Sequence, residues 1–296
     1  TVSPASATII AAGTPAGRRR TWWRRLLGRH LAAASLAIVA SVVLVAILAP
    51  VLPIRDPNQI MSVDRLLGPG ERGYVLGTDE LGRDLLSRLI WGARVSLLAG
   101  FGTALLSLAL GGTLGLIAGF VGGWVDNVLM RFTDMILAFP AILLAIGVIA
   151  ALGSGLTNAM IAVAIAGFPL YARVVRGSVL TVRELDYVEA ARSIGASDLA
   201  IMIRHVVPNI LAPVIVALSL DVGLKIVVTA SLSFLGLGAQ PPTADWGNMI
   251  ASGRNYIRIS THLVLIPGFA IFLIALCLNI IGDRLRDILD PRLKNT

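Results

Sequence analysis

Met135–Ala172 runs for 38 residues without a formal charge, and this limits what the chain can fold into more than any other feature. Leu31–Leu52, Val95–Val125 and Leu263–Gly282 are further uncharged runs. A helix crossing the hydrocarbon core of a bilayer needs about 20 apolar residues, at a rise of about 1.5 Å each. Each shorter run therefore suffices for one crossing and 135–172 for two. Composition agrees: 56% of the 296 residues are hydrophobic and 14% charged, against about 25% charged in a soluble domain. The net charge of +8 is almost all Arg, since Lys225 and Lys294 are the only lysines. These Arg residues sit between apolar runs, as topological charges do, so no nucleic-acid partner is expected. The single cysteine, Cys277, lies in an apolar run, and His30, His205 and His262 are far apart in sequence. Neither an internal disulfide nor a metal site is expected.

The chain divides on this pattern. Residues 1–30 form a cytoplasmic tail, disordered at its start, that ends in Arg18, Arg19, Arg20, Arg24, Arg25 and Arg29 around Trp22 and Trp23, a pair suited to lipid headgroups. The adjacent Arg residues raise the possibility of an export signal. The run that follows exceeds a signal core of about 7–15 residues and lacks a clean small-residue cleavage site, so 31–53 is read as a retained transmembrane helix 1. Residues 54–94 form an extracytoplasmic loop. Within it, Leu81, Leu85, Leu86, Leu89 and Ile90 predict an amphipathic helix over Asp79–Arg94 that could lie along the membrane surface, as a surface brace or as a dock for an extracytoplasmic partner. Residues 95–283 form a five-helix core. Helix 2 carries Gly111, Gly115 and Gly119, a spacing that lets two helix backbones approach closely. Asp126, Arg131 and Asp134 mark a polar turn. Helices 3 and 4 form a hairpin kinked at Pro140 and Pro169, turning at Gly153-Ser154-Gly155. A polar segment at 176–208 follows, then helix 5 near 210–237 and helix 6 at 263–282. Residues 284–296 form a cytoplasmic tail.

Six spans place both termini on one side. Sixteen Lys and Arg fall on that side and eight on the other. The chain is therefore read as N-in and C-in, with 176–208 in the cytoplasm. The fold class is all-α, a polytopic membrane protein of six transmembrane helices.

No phosphate-binding loop is present: neither lysine follows Gly or precedes Ser or Thr. If ATP drives this chain, a partner supplies it. Segment 176–208 is shaped to receive one. Leu185, Val188, Ala191 and Ile194 share one helical face, with Glu184, Asp186, Glu189 and Arg192 largely on the other. Gly195 breaks that helix and Ser197 can cap the next, whose apolar surface is Ile201, Ile203, Val206 and Val207 before Pro208. Two short helices bent at a glycine make a knob that a cleft can grip. Periodicity alone also allows an amphipathic cytoplasmic loop without a partner.

The stretch Glu189-Ala190-Ala191-Arg192-Ser193-Ile194-Gly195, closing at Val207-Pro208, resembles the "EAA loop" of permease subunits in bacterial ABC importers. Other motifs are similar to the second, "C-type" permease of the dipeptide, oligopeptide and nickel branch. They are Gly77-Thr78-Asp79-Glu80-Leu81-Gly82-Arg83-Asp84, Asp134-Met135-Ile136-Leu137-Ala138-Phe139-Pro140, Ser231-Leu232-Ser233-Phe234-Leu235-Gly236, Trp246-Gly247 and Asp287-Ile288-Leu289-Asp290-Pro291. The resemblance covers the chain from residue 31 on. It implies a type I ABC importer permease fold in the bacterial inner membrane. It implies, as partners, a second homologous permease, two ABC ATPase subunits and an extracytoplasmic substrate-binding protein. ATP and Mg would bind those ATPases, and this chain would hold no cofactor and catalyse no covalent step. Glu189, Ala190, Ala191, Arg192, Ile194, Gly195 and Pro208 would form the coupling loop. Short peptides are the implied cargo, with glutathione-like peptides and nickel chelates also open. Two departures stand out: Val207 where the family has Leu, and Thr229 where many relatives have Glu.

Asp221 and Lys225 are four residues apart inside helix 5, so they share a face and can pair. They would either line the translocation path and meet a peptide's charged ends, or neutralise each other inside the bundle. A gradient-driven secondary transporter using Asp221 is the alternative function, although no inverted repeat supports it. An intramembrane enzyme would need a paired nucleophile and base, and the spans hold none. Trp246, Arg254 and Tyr256 in the last outer loop would touch a binding protein or anchor at the membrane interface.

Overall fold

The structure, a computed structural model, describes residues 30–289. The basic tail with Trp22 and Trp23, and everything from Asp290 onward, lie outside the described residues. Among the described residues the regular structure is helical, apart from one isolated bridge between Thr78 and Asp84. The elements are α1 (His30–Leu48), α2 (Leu85–Val121), α3 (Gly123–Leu137), α4 (Ala141–Leu152), α5 (Leu156–Arg183), α6 (Asp186–Ser193), α7 (Asp198–Ile201), a π-helical turn (Met202–Val206), α8 (Val207–Phe234), α9 (Trp246–Gly253) and α10 (His262–Leu289). By length and apolarity α1, α2, α5, the α7–α8 unit and α10 each suffice to cross a membrane, and the pair α3–α4, bent by 92°, makes a sixth when it is taken as one broken span.

Small residues decide how the spans pack. A Cβ on Gly111 would lie 2.1 Å from the carbonyl oxygen of Phe168, and one on Gly115 would lie 2.3 Å from that of Ala172. On Gly119 it would lie 3.0 Å from that of Arg176. The glycine stripe therefore brings α2 onto the bare backbone of α5, as the spacing predicts, with van der Waals contact replacing a hydrophobic drive that lipid cannot supply. Antiparallel α8 and α10 pack likewise, Gly223 against Ala275 and Gly282 against Leu220. Val39, Leu97, Val222, Ile226, Trp246, Ile274 and Leu278 belong to one core cluster joining α1, α2, α8, α9 and α10. A second cluster of Ala145, Ile149, Ala162, Val163 and Leu232 seats α4 on α5 and α8.

Several sequence expectations need correction. The helix foreseen over Asp79–Arg94 starts at Leu85 and continues unbroken into the second span. Asp84 caps it by accepting from the Ser87 N–H, and residues 79–84 form a turn. The polar side of this stretch faces protein instead of the membrane surface. Buried Arg83 and Arg88 approach Asp79 at 2.6 and 3.4 Å, and Arg88 also donates to the Pro57 carbonyl at 3.0 Å. The motif thus braces the loop at 54–84 onto α2. The "polar turn" at 126–134 is helical, within α3, because its acids find Arg partners on α5. Pro140 does mark a sharp bend, whereas Pro169 is buried within an α5 that is helical throughout. Helix 5 begins at Val207, ends at Phe234 and joins α7 through the π turn, while α10 runs past residue 283 to Leu289.

Trp246 is neither an interface anchor nor an exposed contact. It is buried, and its indole N–H donates to the Leu89 carbonyl at 2.9 Å. Beside it, Ser96 donates to Asp245 at 2.8 Å, while Asp245 accepts the Asn248 N–H and caps α9. Burial pushes the Asp245 carboxyl above the usual carboxylate range, and these donors offset part of that cost. Tyr256 packs half-buried against the same cluster, and Arg254 lies over the Phe234 ring at 5.6 Å.

Candidate functional site

The knob between α5 and α8 is built from two caps and one hinge. After Arg183 the chain turns extended at Leu185 and enters α6, whose first turn carries Asp186 and Glu189 at the positive end of the helix dipole. Val188 and Ala191 are buried against Val179, Val182, Ile201, Val206 and Ile210, so one face of α6 is part of the core. Gly195 ends α6 at φ +84°, a left-handed conformation that costs a residue with a Cβ about 1–2 kcal/mol. Its N–H donates to the Arg192 carbonyl at 3.0 Å, and the Ala196 N–H donates to that of Ala191 at 3.1 Å. This is the doubly bonded Schellman ending. Ser197 then caps α7 by accepting the Ala200 N–H.

The outer surface of the knob is apolar where water would favour otherwise. Ile194 is 86% exposed at the bend, and Leu199, Ile203, Tyr187 and Leu185 are exposed around it. Ile194 and Leu185 thus stand outside the buried face that Val188 and Ala191 form. Glu189 and Arg192 are exposed beside this patch, and Ala190 is exposed on α6. Arg192 lies 3.8 Å from Asp198, both open to solvent, a geometry that contributes little. Arg183, Glu184, Arg192, Asp198 and Met202 line a groove between the knob and the end of α2 at Phe120 and Val121.

Pro208 sits in the first turn of α8, directly after the π turn. A proline inside a helix has no N–H to give and crowds the carbonyl four residues back, and the wider π turn makes room for it. The Asn209 side chain donates to the His205 carbonyl at 2.6 Å, restoring one bond. The second knob helix is therefore the leading end of the candidate span that α7 and α8 form. Residues 176–183 likewise belong to α5. The knob thus joins two candidate membrane-spanning helices, α5 and the α7–α8 unit.

The structure brings Asp221 and Lys225 together at 3.6 Å. They are 5% and 6% exposed, between α8, α5 and α2. Tyr171 donates its hydroxyl to Asp221 at 2.9 Å, and the Lys225 ammonium lies against Gly167, where a Cβ would be 2.0 Å away. Sequence reasoning missed both partners. Tyr171 is the one hydroxyl-bearing aromatic in the 38-residue uncharged run, and that was the available signal. Among the described residues no group of three His, Cys, Asp or Glu side chains could hold a metal ion.

Residues 111–295 match the family of binding-protein-dependent transport system inner membrane components. Residues 18–69 match the N-terminal transmembrane domain of oligopeptide transport permease C. The glutathione transport system permease protein GsiD of Pectobacterium atrosepticum is 45% identical over 93% of this chain and 92% of its own length. The dipeptide transport system permease protein DppC of Alkalihalophilus pseudofirmus is 44% identical over 93% and 90%. Among solved structures, the inward-facing MetNI methionine ABC transporter aligns with a TM-score of 0.55 at 16% identity. That alignment covers 68% of this chain and 96% of that one, a likeness of fold.

Proposed function

Since the chain belongs to the family of binding-protein-dependent transport system inner membrane components, as a permease subunit of an ABC importer, we propose that it forms half of an inner-membrane pathway for short peptides. The relatives named for glutathione and for dipeptides, each more than two-fifths identical, support that cargo class over nickel chelates. The other half of the pathway is a second, homologous permease. Two ABC ATPase subunits bind ATP and Mg and grip the knob at 184–207, and an extracytoplasmic binding protein delivers the peptide.

The observation that carries this reading is the exposed apolar apex, Ile194 with Leu199 and Ile203, on a bend fixed by the Schellman bonds. A cytoplasmic tip that exposes such side chains on a rigid scaffold suits a partner's cleft. Closure of the ATPases would push α6 and α7. Helices α5 and α8 would tilt with them, and α2 would follow through its glycine contact with α5. Asp221 and Lys225 would reach the path when α5 and α8 separate; in the described conformation they are closed against each other. The gradient-driven alternative is disfavoured by the same geometry, because Asp221 is already occupied by Lys225 and the Tyr171 hydroxyl.

The test is uptake of a radiolabelled dipeptide into proteoliposomes carrying the purified complex and binding protein. Uptake that requires ATP and survives an ionophore is expected. Uptake abolished by the ionophore and indifferent to ATP would overturn the proposal.

A further inference from the structure

We infer that the Asp126–Arg176 ion pair is the strut that carries motion of the knob into the bent span α3–α4, making both residues positioning residues for coupled transport. The inference rests on the coupling reading above.

Helix α3 is poorly held by packing. Thr133 is its one buried residue, while Trp124, Val128, Phe132 and Met135 are exposed. It hangs between two joints. On the α2 side stand Gly122 and Gly123, consecutive residues with φ of +72° and +57°. On the α4 side stands the 92° bend before Pro140. Between these joints Arg176 donates along one edge of its guanidinium to Asp126, Nε to Oδ1 at 2.5 Å and Nη2 to Oδ2 at 2.6 Å. A bidentate pair of this kind fixes orientation as well as distance. The Arg176 side chain is 34% exposed and that of Asp126 14%, so solvent screens them only in part. The neighbouring pair Arg173–Asp134, at 58% and 54% exposure, is open to solvent and contributes little. Phe132 adds a stacked contact with Phe168, 6.0 Å between ring centres.

Arg176 lies two helical turns before Arg183, on the same face of α5. Arg183 itself donates to the Gly119 carbonyl at 2.8 Å, tying the start of the knob to the end of α2. A push on α6 therefore crosses the break at Leu185 through the buried packing of Val188 and Ala191 on Val179 and Val182, follows α5 to Arg176, and reaches α3 through one well-oriented ion pair. Without that pair, the glycine joint and the bend leave α3 free to lag behind α5.

The experiment compares Asp126→Asn, Asp134→Asn and the exchange Asp126→Arg with Arg176→Asp, each in the assembled complex in proteoliposomes. The readout is peptide imported per ATP hydrolysed, beside ATPase co-purification. Asp126→Asn is expected to keep the ATPases and their hydrolysis while import per ATP falls about tenfold, within the usual range of a coupling free energy. Asp134→Asn is expected to leave the ratio unchanged, and the exchange to recover most of it. A wild-type ratio in Asp126→Asn, an equal loss in Asp134→Asn, failure of the exchange to recover, or loss of the ATPases from Asp126→Asn would each overturn the strut. Absence of ATPases from the wild-type complex would instead defeat the coupling reading beneath it.

Discussion

Gly195→Trp is expected to leave the chain inserted and folded, and to strip the ATPase subunits from the purified complex. Nothing lies within 4 Å of a Cβ at this position, so the fold has room for the side chain. The cost is local. A left-handed φ of +84° penalises any residue with a Cβ by about 1–2 kcal/mol, and the two Schellman bonds that set the bend loosen. The indole then stands beside Ile194, in the middle of the proposed docking patch. Losing a central contact of this kind costs about 2 kcal/mol or more, which is about thirtyfold in affinity. Gly195→Ala separates the two effects, since it adds the backbone strain without the bulk and is expected to weaken association only partly. Both variants should unfold in detergent within a few degrees of wild type. Normal ATPase recovery with Gly195→Trp would sink the coupling assignment.

Gly115→Val is expected to prevent the chain from folding at all. Its first side-chain carbon would lie 2.3 Å from the Ala172 carbonyl oxygen and 3.0 Å from the Arg176 N, both backbone atoms of α5 that cannot rotate away. Overpacking a core costs about 1–3 kcal/mol where side chains can yield, and more where only whole helices can. Gly111 and Gly119 bring α2 against α5 on either side of this position, so separating the helices at Gly115 breaks those contacts as well. The expected result is little monodisperse protein after extraction from membranes. Gly147→Ala, where no atom lies within 4 Å, is the matched control. It is expected to be neutral or to stabilise by up to about 1 kcal/mol through helix propensity.

These two glycines also show what was legible in the sequence. The uncharged runs located the spans, because hydrocarbon leaves a helix few options. The four-residue glycine spacing foretold a close helix contact, though not that α5 was the partner. Ser197, Gly195 and the bend before Pro140 were readable because caps and breaks are local chemistry. What stayed hidden depended on partners far along the chain. Asp126 looked like part of a turn because Arg176, which neutralises it, is 50 residues away. Trp246 looked like an anchor because its acceptor, Leu89, is 157 residues away. Residues 79–94 looked like a surface helix because Pro57 and Asn58, which receive the Arg88 guanidinium, lie about 30 residues upstream. Periodicity reports which face is apolar and cannot tell lipid, solvent and another helix apart.

The central claim is that ATPase subunits grip the apex at Ile194. Cys277 is the chain's one cysteine and is buried, so Ile194→Cys introduces a single accessible thiol. Labelled with a short photoactivatable cross-linker in native membranes, it should capture a P-loop ATPase, while the same probe at Val63, exposed on the outer loop, should not. Capture of the ATPase from Ile194 alone is the predicted result. Illumination that joins no ATPase to Ile194, in membranes that import peptide at the wild-type rate, would contradict the account.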